Sequence, residues 1–168
     1  GDMLNGLLLD LGGNLDLLKE ELSKFTLEDY TIQVERTNKS SILGMDFDVQ
    51  IAHQHKDTGI KGDFDHHEHS HHGHHHHHHE SRGLTEILGL IESSDLSDIV
   101  KKHSSNVFKD IAKAEAAVHN ADVNKIHFHE IGAVDSIVDI ISFFILWEQL
   151  KIDKVYSTPI TEGSGTIH

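Results

Sequence analysis

The sequence predicts an α/β fold: a mixed β-sheet with packed helices, a βαβ unit near the C-terminus and a disordered His-rich loop insertion. Three observations favour it. Apolar residues follow helical spacing in some stretches and strict alternation in others. A strand, helix and strand pattern closes the chain, and the composition changes abruptly from 53 to 82. We expect 1–168 to be a single α/β domain, with 53–82 as a flexible insert.

Two short helices are predicted at the start of the chain. The leucines of the first are Leu4, Leu7, Leu8 and Leu11. This spacing is helical and stops at Gly12-Gly13, a common helix terminator. Asn14 is placed to cap the second helix. The leucines of that helix are Leu15, Leu18 and Leu22.

Two amphipathic strands are predicted next. Apolar and polar residues alternate over 30–35 and again over 45–51. Alternation with period two is typical of strands that have one buried and one wet face. We expect these strands to form an antiparallel pair.

A histidine tract occupies the insert. Eleven of the fourteen residues from 66 to 79 are histidine, and only Ile60 and Phe64 are apolar between 53 and 82. The histidines are His66, His67, His69, His71, His72, His74, His75, His76, His77, His78 and His79. Such a segment buries too little apolar surface to offset the entropy of ordering it, so we expect a mobile loop. Neutral imidazoles bind zinc, copper or nickel, which predicts a metal-gathering arm. The alternative, an affinity tag, is disfavoured because the run is internal.

Four further elements are expected after the insert. Leu84 to Ile91 has helical spacing, and Ser97 can cap a longer helix that ends near His119. The lone histidines His103 and His119 are expected to be surface or packing residues. A strand over 125–130, an apolar helix to Leu150 and a strand over 154–160 follow. These last three would form the right-handed βαβ unit.

The stretch from His127 to Asp139 predicts a metal or catalytic site. In a strand, His127 and His129 would share one face, opposite Ile126 and Phe128. Beyond the Gly132 turn, Asp135 and Asp139 are one helical turn apart. Together with Glu130, these side chains form a nitrogen and oxygen ligand set that suits a divalent transition metal. The alternative is structural: Asp135 would be favoured by the helix dipole alone. Asp139 is harder to explain in that way, because a buried carboxylate needs a partner.

Composition excludes several classes of function. A net charge of −14 opposes binding to nucleic acid, and the absence of cysteine excludes disulfides, iron–sulfur clusters and thiolate zinc sites within this chain. No apolar run is long enough to cross a bilayer, and no leader pattern opens the chain, so we expect a cytoplasmic protein without membrane contact. The first residue, Gly1, indicates a truncated or processed start.

Several stretches taken together resemble a known family. They are GDML at the start, KDIAKAEAAVH, HFHEIGAVDSIVDI, the His-rich insert and VYSTPITEGSGTIH at the close. They are similar, in the same order, to the nickel insertion proteins of the nickel-pincer nucleotide pathway, the LarC family. The resemblance implies that this chain is the amino-terminal part of a longer protein. The carboxyl-terminal part of that protein, outside this chain, would bind CTP with a divalent metal.

The resemblance also implies an activity. Family members insert nickel into pyridinium-3,5-bisthiocarboxylic acid mononucleotide by a CTP-dependent cyclometallation, which makes the nickel-pincer nucleotide cofactor of lactate racemase. Nickel is then a substrate ion for an insertase of the lyase class. The implied partners are the carboxyl-terminal part, the nucleotide and the lactate racemase apoenzyme. On this hypothesis the tract gathers nickel. His127 and His129 then hold it together with Glu130, Asp135 or Asp139, and one of these carboxylates accepts the ring proton.

Two other classes of function remain open at this point. A non-catalytic nickel or zinc storage or delivery protein would need only the histidine tract. A metal-dependent hydrolase would use the histidines and carboxylates to activate water. The sequence shows no nucleophile motif or second ligand cluster to favour the hydrolase.

Overall fold

A computed structural model of the protein describes residues 1–27, 30–51, 82–123, 126, 128, 132–159 and 163. Within these ranges it contains five helices and a two-stranded antiparallel sheet, which confirms the mixed α/β class. The elements in order are α1 (Asp2–Asp10), α2 (Leu15–Leu22), β1 (Tyr30–Lys39), β2 (Ile42–Ile51), α3 (Leu84–Ser93), α4 (Asp98–His119) and α5 (Val134–Gln149). No helix in the described ranges is long and apolar enough to cross a membrane. The predicted insert lies outside the described residues except at Arg82.

The two strands form a hairpin, as the alternating pattern predicts. Their register runs from Tyr30 opposite Ile51 to Lys39 opposite Ile42. The two loop residues, Ser40 and Ser41, have φ angles of 53° and 67°. Positive φ at both positions is typical of a type I′ turn, whose twist matches that of the flanking strands. Phe47 points from β2 into the core and is only 1% exposed.

Helix α5 is the centre of the core. Its apolar residues at 0 to 2% exposure are Ile137, Val138, Ile141, Ile145 and Leu146. The helix contacts α1, α2, α4 and β2, so nearly all of its circumference is covered. A helix that is apolar on all sides is stable in water only when neighbouring elements cover it in this way. Helix α5 therefore positions α1, α2, α4 and β2, while α3 packs on α4 and β1 pairs with β2.

Helix α1 packs on β2 and α5 through a surface that shares only Leu8 with its predicted leucine row. Its buried residues are Asn5, Gly6, Leu8 and Leu9. Leu4 and Leu7 are each 52% exposed and Leu11 is 64% exposed. The close approach requires a glycine, because a Cβ built on Gly6 would lie 2.3 Å from the Met45 carbonyl oxygen.

The predicted helix ends are confirmed. The Asn14 side chain accepts a hydrogen bond from the Leu17 N–H at 3.0 Å, and Ser97 accepts one from Val100 at 3.2 Å. Helix α1 ends before Gly12, whose φ is +107°. These are local interactions between neighbours in the sequence, which is why short sequence patterns predicted them.

The predicted βαβ unit is not formed by the described residues. Residues 152–159 contain no strand, and Val155 and Tyr156 are 63% and 85% exposed. Residues 126 and 128, from the other predicted strand, are also outside any strand. A strand exists only where a neighbouring edge supplies hydrogen bonds, and the sole sheet of the described ranges is the β1–β2 hairpin. The strand prediction was wrong for 154–159, whereas the strand predicted over 125–130 lies mostly outside the described residues and stays a prediction.

A pair of glycine substitutions tests the packing of α1 on β2. We expect Gly6→Ala to destabilise the fold by about 1–3 kcal/mol or more, because the new methyl group would overlap a backbone carbonyl. Gly89→Ala, on α3, is the matched control, since a Cβ there meets no atom within 4 Å. The control should stabilise the fold by about 0.5–1 kcal/mol through helix propensity. Urea unfolding of both variants measures the difference, and equal effects would contradict the packing described.

Candidate functional site

The predicted site residues divide into two groups. His127, His129, Glu130 and the histidines between His66 and His79 lie outside the described residues. Asp135 and Asp139 are described, on the first and second turns of α5. The predicted metal and catalytic roles of the first group therefore stay predictions.

The backbone at Arg82, where the insert ends, lies against the backbone of Phe128 and Gly132. The N–H of Phe128 donates a hydrogen bond to the Arg82 carbonyl oxygen at 3.4 Å. The backbone of Gly132 lies against the same residue, because a Cβ there would be 2.9 Å from both Arg82 N and Arg82 O. Only glycine allows so close a crossing. The end of the histidine insert is thus held beside the residue that separates His127 from His129.

Two apolar residues anchor this crossing in the core. Ile126 is 6% exposed and Phe128 is fully buried, with its ring 6.4 Å from that of Phe108. The prediction that Ile126 and Phe128 share an apolar face is confirmed in this respect. Burial of these two side chains holds residues 126 and 128 in the core, with Phe128 against α4.

Asp135 is an exposed carboxylate at the start of α5. Its Oδ1 accepts a hydrogen bond from the Ser136 N–H at 2.8 Å. A carboxylate in the first turn is stabilised by the helix dipole. This environment fits the structural alternative, yet it also leaves the carboxylate accessible to a substrate.

Asp139 is buried and has partners on α1. It is 8% exposed. The amide nitrogen of Asn5, Nδ2, donates to both Asp139 Oδ1 and the Asp139 carbonyl oxygen, each at 3.2 Å. The nitrogen of Gly1 lies 3.8 Å from Asp139 Oδ2. The Asp2 side chain completes the set through a hydrogen bond to the Asp139 carboxyl group.

The pKa of Asp139 is raised to about 7, mainly by burial and in addition by the hydrogen bond and negative charge of Asp2. The hydrogen bond from the Asn5 amide opposes the shift. A carboxyl group with this pKa takes up or releases a proton near neutral pH.

Sequence reasoning missed Asp2 and Asn5. Both lie 134 or more positions from Asp139, and no local spacing links α1 to α5. One signal was available: Asn5 is a polar residue among the leucines of α1. Among the described residues, no group of three or more His, Cys, Asp or Glu side chains could hold a metal ion. Asp139 and Asp2 are two such side chains, and Asn5 adds an amide.

The family model for nickel insertion proteins matches residues 1–168, the whole chain. The chain belongs to the nickel insertion protein family. Two relatives named pyridinium-3,5-bisthiocarboxylic acid mononucleotide nickel insertion protein align with it over almost all of its length. The one from Lactiplantibacillus plantarum is 48% identical over 168 residues, which are 100% of this chain and 39% of the relative. The one from Acetivibrio thermocellus is 42% identical over 167 residues, 99% of this chain and 37% of the relative.

A further relative in this family, from Enterococcus faecalis, is 73% identical over 81 residues, 48% of this chain and 25% of the relative. The chain therefore spans less than half the length of the nickel insertion proteins that it matches. No solved structure matches it.

The raised pKa of Asp139 predicts a pH dependence of stability. The carboxyl group of an unfolded chain titrates near 3.8 and that of the native protein near 7, so the native state binds more protons between these values. The contribution of this group to stability is therefore full below about pH 4 and is lost as the pH rises through about 7. Asp139→Asn cannot ionise and keeps a similar shape. We expect the variant to gain stability relative to wild type as the pH rises from about 4 to about 8.

Urea unfolding across this pH range measures the effect. Asp110→Asn is the control, because Asp110 is an exposed carboxylate paired with Lys113 on the surface of α4. Its loss should change stability by only about 0.2–1 kcal/mol. A difference between wild type and Asp139→Asn that stays the same from low to high pH would contradict the raised pKa of Asp139.

Proposed function

We propose that this chain gathers nickel and presents it for insertion into pyridinium-3,5-bisthiocarboxylic acid mononucleotide. Membership of the nickel insertion protein family supports nickel as the ion and the named relatives support the nucleotide. The observation that carries the division of roles is the backbone contact between Arg82 and Phe128. It holds Arg82, three residues beyond the last histidine of the tract, beside Phe128 of the HFHE motif.

Covalent geometry limits how far the tract can be from the motif. His79 is three residues from Arg82, so their Cα atoms are at most about 11 Å apart in any conformation. His127 and His129 are each one peptide from Phe128, about 3.8 Å between Cα atoms. An ion released by His79, at the near end of the tract, would therefore start close to these imidazoles, and short tethers give effective concentrations of about millimolar.

The ligand types suit transfer of the ion. Imidazole and carboxylate groups hold nickel less firmly than thiolates do, and sulfur atoms of the substrate can displace them. We propose that His127 and His129, with Glu130, hold the ion until the two thiocarboxylate sulfurs bind it. The chain contains no cysteine, which fits a protein that donates nickel better than one that retains it.

A base must accept the proton that leaves the ring carbon. As the carbon–nickel bond forms, the electron pair of the carbon–hydrogen bond becomes the new bond, and the proton passes to a carboxylate. Among the two described candidates, Asp135 is exposed, whereas α1 covers Asp139. We assign the proton to Asp135 and a supporting role to Asp139. Nickel keeps its charge state throughout, so no oxidant is needed.

The finer features of the activity remain proposals of the same kind. They are dependence on CTP, binding of CTP and its divalent metal by the part of the family protein outside this chain, and supply of the product to lactate racemase. The short span of this chain relative to its relatives supports a second part that completes the enzyme.

Replacing the eleven histidines of 66–79 by glutamine tests the gathering role. The length of the segment is retained, so only metal binding is lost. We expect much less insertion at limiting nickel and near-normal insertion at saturating nickel, because the HFHE motif is unchanged. The assay combines this chain with the remaining part of the family protein, CTP, nickel and the nucleotide, and follows the absorbance of the metallated product. Loss of insertion at saturating nickel would disprove the division of roles.

The double substitution His127→Ala with His129→Ala tests the holding role. We expect no insertion at any nickel concentration, because the tract alone does not present the ion to the substrate. The control is His119→Ala, at the last turn of α4. We expect this variant to support nickel insertion at the normal rate. Normal turnover in the double variant would remove the proposed site. It would favour the storage alternative if the variant also kept its full nickel stoichiometry.

A further inference from the structure

Helix α1 carries a row of leucines on the side that faces away from the core. Leu4 and Leu7 are each 52% exposed, and Leu11 is 64% exposed. Their spacing of three and then four residues places them one above another on a single face of the helix. We call these three residues the outer row. Single exposed leucines are common on protein surfaces, whereas a continuous apolar row marks a site of contact with another protein surface.

The end of the hairpin extends this apolar surface. The carboxyl group of Asp10 accepts a hydrogen bond from the Met45 N–H at 3.1 Å, so the last turn of α1 lies against β2. A Cβ built on Gly6 would lie 3.9 Å from the Met45 Cβ, which places the Met45 side chain on the face that meets α1. Leu43 is two positions earlier on the same strand and shares that face. It is 57% exposed, so the apolar surface continues from Leu11 towards the hairpin end.

The composition of α1 explains why its outer face needs a cover. Only its first and last residues, Asp2 and Asp10, are charged. The face that contains Leu8 and Leu9 is already buried against β2 and α5. A helix that is apolar on both faces is stable in water when neighbouring elements cover both of them. Positions i, i+3 and i+7 are also those through which a helix enters an apolar groove of a partner protein.

The lengths of the relatives indicate what this partner is. The match with the Lactiplantibacillus plantarum protein covers 39% of that relative, which leaves 61% of its length outside the match. For the Acetivibrio thermocellus protein the match covers 37%, which leaves 63%. Each of these nickel insertion proteins therefore contains more protein outside the matched part than within it.

The described chain leaves the core beside the outer row. Helix α5 ends at Gln149, whose Oε1 accepts a hydrogen bond from the Asn14 N–H at 3.0 Å. Asn14 is three residues after Leu11, so their Cα atoms are at most about 11 Å apart. After α5, Val155 and Tyr156 are 63% and 85% exposed, so these residues do not pack into the core. Residues that continue from α5 thus begin next to the outer row.

We propose that the outer row, together with Leu43, is the surface on which the part of the family protein outside this chain docks. The partner surface is an apolar groove or an apolar helix face, because these receive leucines at helical spacing. The proposal rests on family membership and on the lengths of the relatives. It does not depend on nickel insertion by this chain.

Association of the two parts without nickel or nucleotide tests the surface. This chain and the remaining part of the family protein are prepared separately, and their dissociation constant is measured by isothermal titration calorimetry. Changing the outer row by Leu4→Gln, Leu7→Gln and Leu11→Gln together should weaken association by more than about tenfold, because the apolar contacts are lost. Glutamine is as good a helix former as leucine, so α1 should be retained. The control is Val118→Gln, at an 81% exposed position in the last turn of α4, which should bind as wild type does.

A single cysteine gives a second readout that leaves most of the row unchanged. The chain contains no cysteine, so Leu7→Cys carries a unique thiol. We expect labelling of this thiol by a maleimide, followed by the mass of this chain, to slow by more than about tenfold in excess remaining part, because docking makes the thiol inaccessible. Val118→Cys should be labelled at the same rate with and without the remaining part.

Three results would overturn the proposal. One is unchanged affinity of the triple glutamine variant with its fold confirmed by circular dichroism. Another is the absence of any association between the wild-type chain and the remaining part. The third is a Leu7→Cys thiol that becomes protected as the concentration of this chain alone rises, with no further protection by the remaining part, since a second copy would then cover the outer row. All three are measured without nickel and are therefore distinct from failure of nickel insertion.

Discussion

Burial of α5 is the constraint on which the other described elements depend. The helix has apolar residues around nearly its whole circumference, and α1, α2, α4 and β2 cover it. Removing this surface from water stabilises the fold by about 25 cal/mol per Å², so these elements are held firmly. The same packing takes Asp139 out of water. The carboxyl group must then find partners, and α1 supplies them through Asp2 and Asn5.

A second consequence of this packing concerns the insert. Phe128 is buried against Phe108 of α4, and its N–H binds the carbonyl oxygen of Arg82. The core therefore fixes the end of the insert and the middle of the HFHE motif at one place. A long insertion costs little in loop-closure entropy. The fold can thus accommodate a long insert rich in potential metal ligands at a small cost in stability, because the core anchors its end at Arg82.

The carboxylates of α5 show how one helix can serve two purposes. Asp135 is exposed at the helix start, where the dipole stabilises its ionised form. Asp139, one turn later, is buried and raised in pKa. The same residue type at a four-residue spacing thus gives one exposed carboxyl group and one buried carboxyl group that contacts α1. The difference comes from what covers each side chain.

The sequence by itself determined the helices, their caps and the hairpin, because these depend on neighbours in the chain. Asn14 and Ser97 cap their helices by hydrogen bonds to residues three positions away. The alternation of apolar and polar residues in β1 and β2 indicates which face of the hairpin is buried. It also determined the family, through a long motif. Only the tertiary structure decided which face of α1 is buried, that Asp2 and Asn5 meet Asp139, and that residues 152–159 form no strand. These outcomes depend on partners far away in the sequence, and no local pattern records whether a partner surface or a strand edge is present.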